Sequence, residues 1–335
     1  MDRMDKVVLL TGATGFLGFR TLEVLVEQPD VKRVLATGRT LKAGMKVHSP
    51  KVEYQLGDLA NADFVDSLTE NITDIVHCAA LCSPWGAFEE FYRVNVITQE
   101  NLIAAAYRRN IKRFVYISTP AVYFNYKDRF EIKENEALPD KCVNHYATTK
   151  RVAEILLEKT NLDYIILRPR ALTGRGDTVI MPRLIRAVKS GRLKIIGDGK
   201  NIVDITAVSN AVDAIMLGMR VKGDALRQTY NITNGEPVVI WDVIRLMLNM
   251  IGLNLENKKV PYKIVFLIAW FMEKWARWTG KRREPIYTRY SISTLAKSFT
   301  MDISKAKELL GYTPRTSTME SINEFVQWYN ADEKG

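Results

Sequence analysis

The 335-residue chain is long enough to bury a sizeable core, as one large domain or two intimate ones. Apolar residues make up 47% and charged residues 26%, a globular balance that excludes a disordered or low-complexity protein. The net charge of +10 favours anionic partners: a dinucleotide, an acidic substrate or an acidic membrane surface. The basic residues are scattered apart from short clusters such as Lys281-Arg282-Arg283, and no nucleic-acid motif is present, so nucleic acid is not an expected partner. Cys78, Cys82 and Cys142 are odd in number and lie in apolar or loop settings, which suits reduced thiols and a cytoplasmic location. His48, His77 and His145 are too dispersed for a metal site, and none is expected. The N-terminus runs almost directly into a strand, leaving no room for a signal peptide.

Lys6 to Leu10 is a short apolar run that reads as a buried parallel strand. It enters Thr11-Gly12-Ala13-Thr14-Gly15-Phe16-Leu17-Gly18, and then a helical pattern with Leu17, Leu22, Leu25 and Val26 near one face. A strand, a glycine turn and a helix open a dinucleotide-binding βαβ unit. Gly12 would allow the tight turn, Gly15 the approach of a pyrophosphate, and Gly18 close helix–strand packing. Taken alone, the triplet also fits a plain structural turn.

Val31 to Thr37 reads as the second strand, ending at Gly38-Arg39-Thr40. An acidic residue at that tip would bind the ribose 2′-OH of NAD, whereas an arginine can accept a 2′-phosphate. Arg39, with Lys42 close by, therefore points to NADP(H), with NAD(H) as the alternative; a solvated loop arginine would look the same. Val52 to Leu56 reads as the third strand. Asp58 behind it could bond an adenine amine or cap the helix carrying Phe64, Val65 and Leu68. Ile72 to Cys78 is the fourth strand, and the small residues Ala79-Ala80 before Leu81 allow either a cofactor or tight packing against the backbone. A turn-rich loop, Ser83-Pro84-Trp85-Gly86, precedes a long helical pattern from Phe88 to Arg109 containing Asn95. Phe114 to Ile117 and Leu162 to Leu167 complete six strands, the fifth ending at Ser118-Thr119 and the sixth at Arg168-Pro169. Strands alternating with helices predict a Rossmann-type, doubly wound parallel α/β sheet. Residues 1–170 would form the nucleotide-binding region, with 203–233 returning to it. Residues 171–202 and 234–335 would form a smaller mixed α/β substrate-binding region.

Tyr146 and Lys150 lie four apart at the head of a helix, which puts both on one face. A phenol with a pKa of ~10 is a poor acid or base at neutral pH. A neighbouring ammonium, or an oxidised nicotinamide, would lower that value. Such a tyrosine can protonate a carbonyl oxygen as hydride arrives, or take the proton back as hydride leaves. Thr119 or Ser118 could hold the same oxygen.

Together these segments resemble an extended short-chain dehydrogenase/reductase. The likeness runs from the glycine turn through Asp58-Leu59, Ala79-Ala80, the Asn95-Val96 helix, Ser118-Thr119, Tyr146/Lys150 and Arg168-Pro169 to Lys305–Pro314. It implies a triad of Thr119, Tyr146 and Lys150, with Lys150 also on the nicotinamide ribose. It further implies cofactor contacts at Gly12, Thr14, Gly15, Phe16, Leu17, Gly18, Arg39, Asp58, Leu59, Ala79, Ala80, Leu81, Tyr146, Lys150, Pro169 and Leu172, and substrate contacts at Ser83, Trp85, Thr119 and Pro120. Gly174-Arg175-Gly176-Asp177, Ile196–Asn201 and Val203–Asn210 resemble the branch of 3β-hydroxysteroid and sterol-4-carboxylate dehydrogenases. Trp85-Gly86 and Ser118–Val122 resemble its bacterial 2-alkyl-3-ketoalkanoate reductases. Arg39 departs from the acidic residue of the NAD-using steroid enzymes.

The implied activity is Tyr/Lys-assisted hydride transfer between NADP(H) and a ketone or secondary alcohol on a hydrophobic 3-keto acid or sterol-like molecule. The alternatives are a nucleotide-sugar 4-epimerase or reductase with tightly bound NAD, and a dinucleotide-binding sensor without turnover. Relatives commonly dimerise, so a homodimer is also implied. Residues 260–278 contain an apolar run about half the length a membrane span needs. They read first as a buried helix of the substrate region, second as a lid for a lipid-like substrate, and third as a peripheral membrane contact.

Overall fold

Strands apolar on both faces have to be covered on both faces, and that requirement sets the architecture. The computed structural model describes residues 5–41, 44–280 and 284–332; Lys42 and the Lys281-Arg282-Arg283 cluster lie outside the described residues. The first half contains β1 (Lys6–Thr11), α1 (Phe16–Glu27), β2 (Val31–Thr37), β3 (Val52–Tyr54), α2 (Ala62–Leu68) and β4 (Asp74–His77). After these come α3 (Phe88–Phe91), a π-helical turn over Tyr92–Ile97, α4 (Thr98–Arg108), β5 (Arg113–Ile117), a 3₁₀ turn over Pro120–Tyr123, β6 (Arg129–Ile132), α5 (His145–Glu158) and β7 (Tyr164–Pro169). The chain continues through β8 (Leu172–Thr173), α6 (Met181–Lys189), β9 (Ile195–Ile196), β10 (Ile202–Val203), β11 (Thr206–Ala207), α7 (Val208–Gly218) and β12 (Gln228–Ile232). The last part holds β13 (Val238–Val239), α8 (Ile240–Met250), β14 (Lys259–Val260), α9 (Tyr262–Trp278), α10 (Arg289–Ala296), β15 (Phe299–Met301) and α11 (Thr318–Asp332).

Seven parallel strands form the main sheet in the order β12-β7-β5-β4-β1-β2-β3. Alternate residues feed opposite cores. Val8, Leu10, Val76, Val115 and Ile165 face α1 and α7, whereas Leu9, Ile75, Phe114 and Ile166 face α2, α4 and α5. Each fully buried side chain of this kind contributes roughly 1.5–3 kcal/mol. The strand order reverses between β1 and β4, so a crevice opens at the carboxyl ends there. The later elements build a third core around Trp241, Ile244, Met247 and Phe325. A mixed sheet, β13-β10-β15-β6, stands beside it.

Several predicted boundaries move. The fourth strand starts at Asp74 rather than Ile72, because Asn71 at φ +59° closes a turn before it. The third strand ends at Tyr54 and the sixth runs from Tyr164 to Pro169. The helix expected from Phe88 to Arg109 is continuous but widens into a π-helical turn, which hydrophobic periodicity does not reveal. Asp58 does not cap α2: the Asn61 side chain does, accepting from the N–H groups of Asp63 and Phe64 at 2.9 and 3.1 Å.

The larger correction concerns α9. Only Ala269, Glu273 and Ala276 are buried in this helix, so it is not the core helix that its composition suggested. Glu273 accepts from Arg289 and Phe266 packs on Tyr126 at 5.4 Å, which secures one stripe. Ile264, Leu267, Ile268, Phe271 and Trp278 are 45–85% exposed on another. No helix among the described residues is long and apolar enough to cross a membrane.

Candidate active site

The glycine turn is tight because its neighbours leave no room. Gly12 has φ +68°, and a Cβ there would lie 2.6 Å from the Ala79 nitrogen. A Cβ on Gly18 would collide with the Gly12 carbonyl, so α1 packs directly on the turn. The N-cap of α1 is Gly15, with no side-chain cap, and the first-turn N–H donors are left for an anionic group. Phe16 and Leu17 are buried, anchoring that turn. Thr14 packs on Gly38, which brings the turn to the tip of β2, where Arg39 is exposed. These features fit a dinucleotide diphosphate.

Asp58 accepts from the Ala60 N–H at 3.0 Å and pairs with Arg93. The Ala60 bond, with help from Arg93 and Arg39, holds its carboxyl below the usual range. Leu59 is buried behind it. At the end of β4, Ala79 donates to Thr11 Oγ1 at 3.2 Å, and Thr11 in turn bonds His77 Nδ1 at 2.6 Å. Ala80 and Leu81 follow, and the Leu81 N–H donates to Asn95 Oδ1 at 2.8 Å. Asn95, in the π-helical turn, also donates to Thr149 Oγ1 on α5 at 3.0 Å. It thus ties the β4 loop to the helix of Tyr146 and Lys150. The sequence reading gave Asn95 no such role; its signal is a buried amide within an apolar helical face.

Asn144 caps α5, accepting from the Ala147 N–H at 2.8 Å, and this fixes the direction of the helix. Lys150 is buried; its Nζ donates to the Ile117 carbonyl at 2.5 Å and lies 4.1 Å from the centre of the Tyr116 ring. Burial lowers its pKa to about 8. Tyr146 is recessed in the crevice wall, and loss of water pushes its phenol well above the ordinary value. The Thr119 hydroxyl and the Cys82 thiol are its hydrogen-bond neighbours. Here loss of water is the largest influence on the phenol, and the Lys150 ammonium is directed at Ile117 and Tyr116. At neutral pH the phenol is therefore protonated.

Thr119 Oγ1 also accepts from the Ala121 N–H at 3.2 Å as the cap of the turn that begins with buried Pro120. Ser118 Oγ is buried without a partner, so Thr119 is the hydroxyl at the phenol. Arg168 grips Glu154 through Nε and a terminal nitrogen at 2.8 and 2.6 Å, locking β7 to α5. Pro169 then ends β7 and Leu172 begins β8. Ser83 uses its hydroxyl within its own turn, donating to the Trp85 carbonyl at 2.8 Å. The Trp85 ring lies 5.4 Å from the Arg277 guanidinium, so α9 reaches over this loop. A surface hollow of about 510 Å³, lined by Asp163, Asp224 and Arg227, sits at the amino end of β7, opposite the reactive end.

The model of the family described as "NAD dependent epimerase/dehydratase family" matches residues 8–233. The chain is 30% identical over 328 residues to 2-alkyl-3-oxoalkanoate reductase of Stenotrophomonas maltophilia, covering 94% of this chain and 97% of that one. It is 31% identical over 353 residues to sterol-4-alpha-carboxylate 3-dehydrogenase, decarboxylating, of Candida albicans, covering 99% and 100%. In fold it is similar to the crystal structure of UDP-glucose 4-epimerase from Thermotoga maritima, with a TM-score of 0.76, 19% identity, and 98% and 99% coverage. The chain belongs to the NAD-dependent epimerase/dehydratase family and is an oxidoreductase-type enzyme of the extended short-chain dehydrogenase/reductase class.

Proposed function

We propose that the protein reduces a ketone on a hydrophobic, acidic molecule, with NADPH preferred over NADH. The observation that carries this reading is the recessed Tyr146 phenol beside Thr119, on one helix with buried Lys150, at a sheet whose glycine turn leaves α1 uncapped. A dinucleotide held by the glycine turn and Lys150 would supply, from its reduced nicotinamide, a hydride to the carbonyl carbon. Tyr146 gives its proton to the carbonyl oxygen, Thr119 holds that oxygen, and the ketone becomes a secondary alcohol. Lys150 sits below to orient the ribose and favour the phenolate left behind. The hydrophobic keto-acid or sterol-like substrate class rests on the two relatives' names and on the apolar α9 beside the Trp85 loop. A titration of NADPH and NADH fluorescence, followed by 3-keto acids, 3-ketosteroids and nucleotide sugars, tests the reading. Cofactor oxidation by a keto acid or ketosteroid supports it; interconversion of a nucleotide sugar with no net cofactor change overturns it.

The cofactor preference rests on Arg39, exposed at the tip of β2. Arg39→Asp is expected to weaken NADPH relative to NADH by about 10–100-fold, the loss of a charge-assisted phosphate contact. Dissociation constants for both cofactors check it, and an unchanged ratio overturns the assignment.

We also propose that α9 rests on an anionic lipid surface. Ile264, Leu267, Ile268, Phe271 and Trp278 follow helical spacing on its exposed stripe, with Lys263, Lys274 and Arg277 exposed beside them. The net charge of +10 complements such a surface. The protein is expected to sediment with phosphatidylglycerol vesicles, and a Leu267→Asp/Phe271→Asp variant to lose that binding while keeping its turnover of a short soluble ketone. Failure to sediment, or a dimer that the same variant dissociates, overturns the lipid assignment.

A further inference from the structure

Arg170, the residue after β7, has no role in the chemistry described so far. Its backbone is pinned: its N–H donates to the Ile232 carbonyl and Thr206 Oγ1, and its carbonyl accepts from the Thr206 hydroxyl at 2.6 Å. The guanidinium stacks over the Phe299 ring at 4.6 Å. Its Nε is buried with no hydrogen-bond partner, and among the described residues no carboxylate lies within ion-pair distance of it. Tyr290 and Asp204 both act on it, and the Asp204 carboxylate also accepts from the Met301 N–H at 2.6 Å. By contrast Arg168, two residues earlier, is gripped by Glu154.

The position of Arg170 matters as much as its isolation. Phe299 packs on Phe124, and Phe124 packs edge-on against Tyr290 at 5.8 Å. Tyr290 lies near enough for its charge to act on Arg170, Cys82 and Tyr146. Arg170 is held at the carboxyl end of the sheet: β5 and β7 run side by side with Ile117 opposite Leu167, so it follows the same strand ends as Thr119. A desolvated cation with no direct ion pair is costly, and a ligand carboxylate that pairs with it recovers that cost on binding.

We propose that Arg170 is the carboxylate-recognising residue of the substrate site, selecting a β-keto acid whose ketone oxygen meets Tyr146 and Thr119. In a β-keto acid the carboxylate lies two bonds from the reacting carbon, so anchoring one group orients the other. The planar fork of arginine suits bidentate carboxylate binding, with Phe299 supporting the opposite face. The assignment rests on the reductase reading above and names the group by which that site chooses its substrate.

The test uses a matched pair, a long-chain β-keto acid and its methyl ester, with NADPH and the full-length wild-type, Arg170→Met and Arg170→Lys enzymes. The wild type is expected to prefer the acid. Arg170→Met should lose roughly 30-fold or more in kcat/KM for the acid, chiefly through KM, as when one partner of a buried charge pair is removed. Its ester activity and NADPH affinity should change by less than about threefold, and Arg170→Lys should fall between. An equal loss on acid and ester, or a wild type that reduces both equally, overturns the carboxylate assignment but leaves the reductase reading standing. A wild type that binds NADPH yet reduces neither compound overturns the reductase reading, and the assignment with it.

Discussion

Tyr146→Phe is expected to lower kcat/KM for ketone reduction by roughly 10²–10⁴-fold, the usual weight of a positioned general acid. NADPH affinity and thermal stability should stay close to wild type. The argument is geometric. The phenol is kept protonated by its recess, so its proton is available to a carbonyl oxygen at neutral pH. Removing the hydroxyl leaves no orphan at Thr119, whose Oγ1 still accepts from the Ala121 N–H. The cofactor turn is built from other residues, Gly12, Gly15 and Gly18, and does not depend on the phenol. Steady-state kinetics, a fluorescence titration and a melting curve together decide it. A variant with full turnover sinks the acid role, and one that loses NADPH binding in parallel shows that Tyr146 acts by holding the cofactor.

The parts of this site that were legible in the sequence are those set by local chemistry. A glycine triplet between an apolar strand and a helical pattern has few other uses, and Tyr146 and Lys150 share a face by spacing alone. Strands β1, β4, β5 and β7 stood out because burial on both faces makes them almost continuously apolar. What escaped depends on partners distant in the chain. Asn95 earns its meaning from Leu81 and Thr149, 14 and 54 residues away. The setting of Arg170 depends on Phe299, Tyr290 and Asp204, all distant in the chain, which no pattern shows. Helix α9 was misread because an apolar run reports how greasy a helix is, not how much of it finds a partner. The surroundings of Lys150 were hidden for a related reason: spacing brings it to the same face as Tyr146, but Ile117 and Tyr116 decide where its ammonium points.

That direction leads to a test with opposite signs for activity and stability. Burial lowers the Lys150 pKa to about 8 in the folded enzyme, against an unfolded value of ~10.4. If the ammonium is the working form, kcat/KM should fall as pH rises through about 8, because the free enzyme loses the charge that favours the phenolate and orients the ribose. Stability should respond the other way. Between the folded and unfolded pKa values the unfolded chain binds more protons, so the contribution of Lys150 to stability rises with pH across that window and is lost as pH falls through about 8. Lys150→Arg keeps its charge above pH 12 and should therefore flatten the descending limb, at a lower overall rate, since a planar guanidinium cannot reproduce the contact with the Ile117 carbonyl. Lys150→Met should be slow at every pH. Rate profiles from pH 6 to 10, with denaturant unfolding at the same values, separate the two effects. A limb near pH 8 that persists in Lys150→Met would assign the titration to another group. A wild-type profile that stays flat through that range would show that Lys150 is not the working cation of this site.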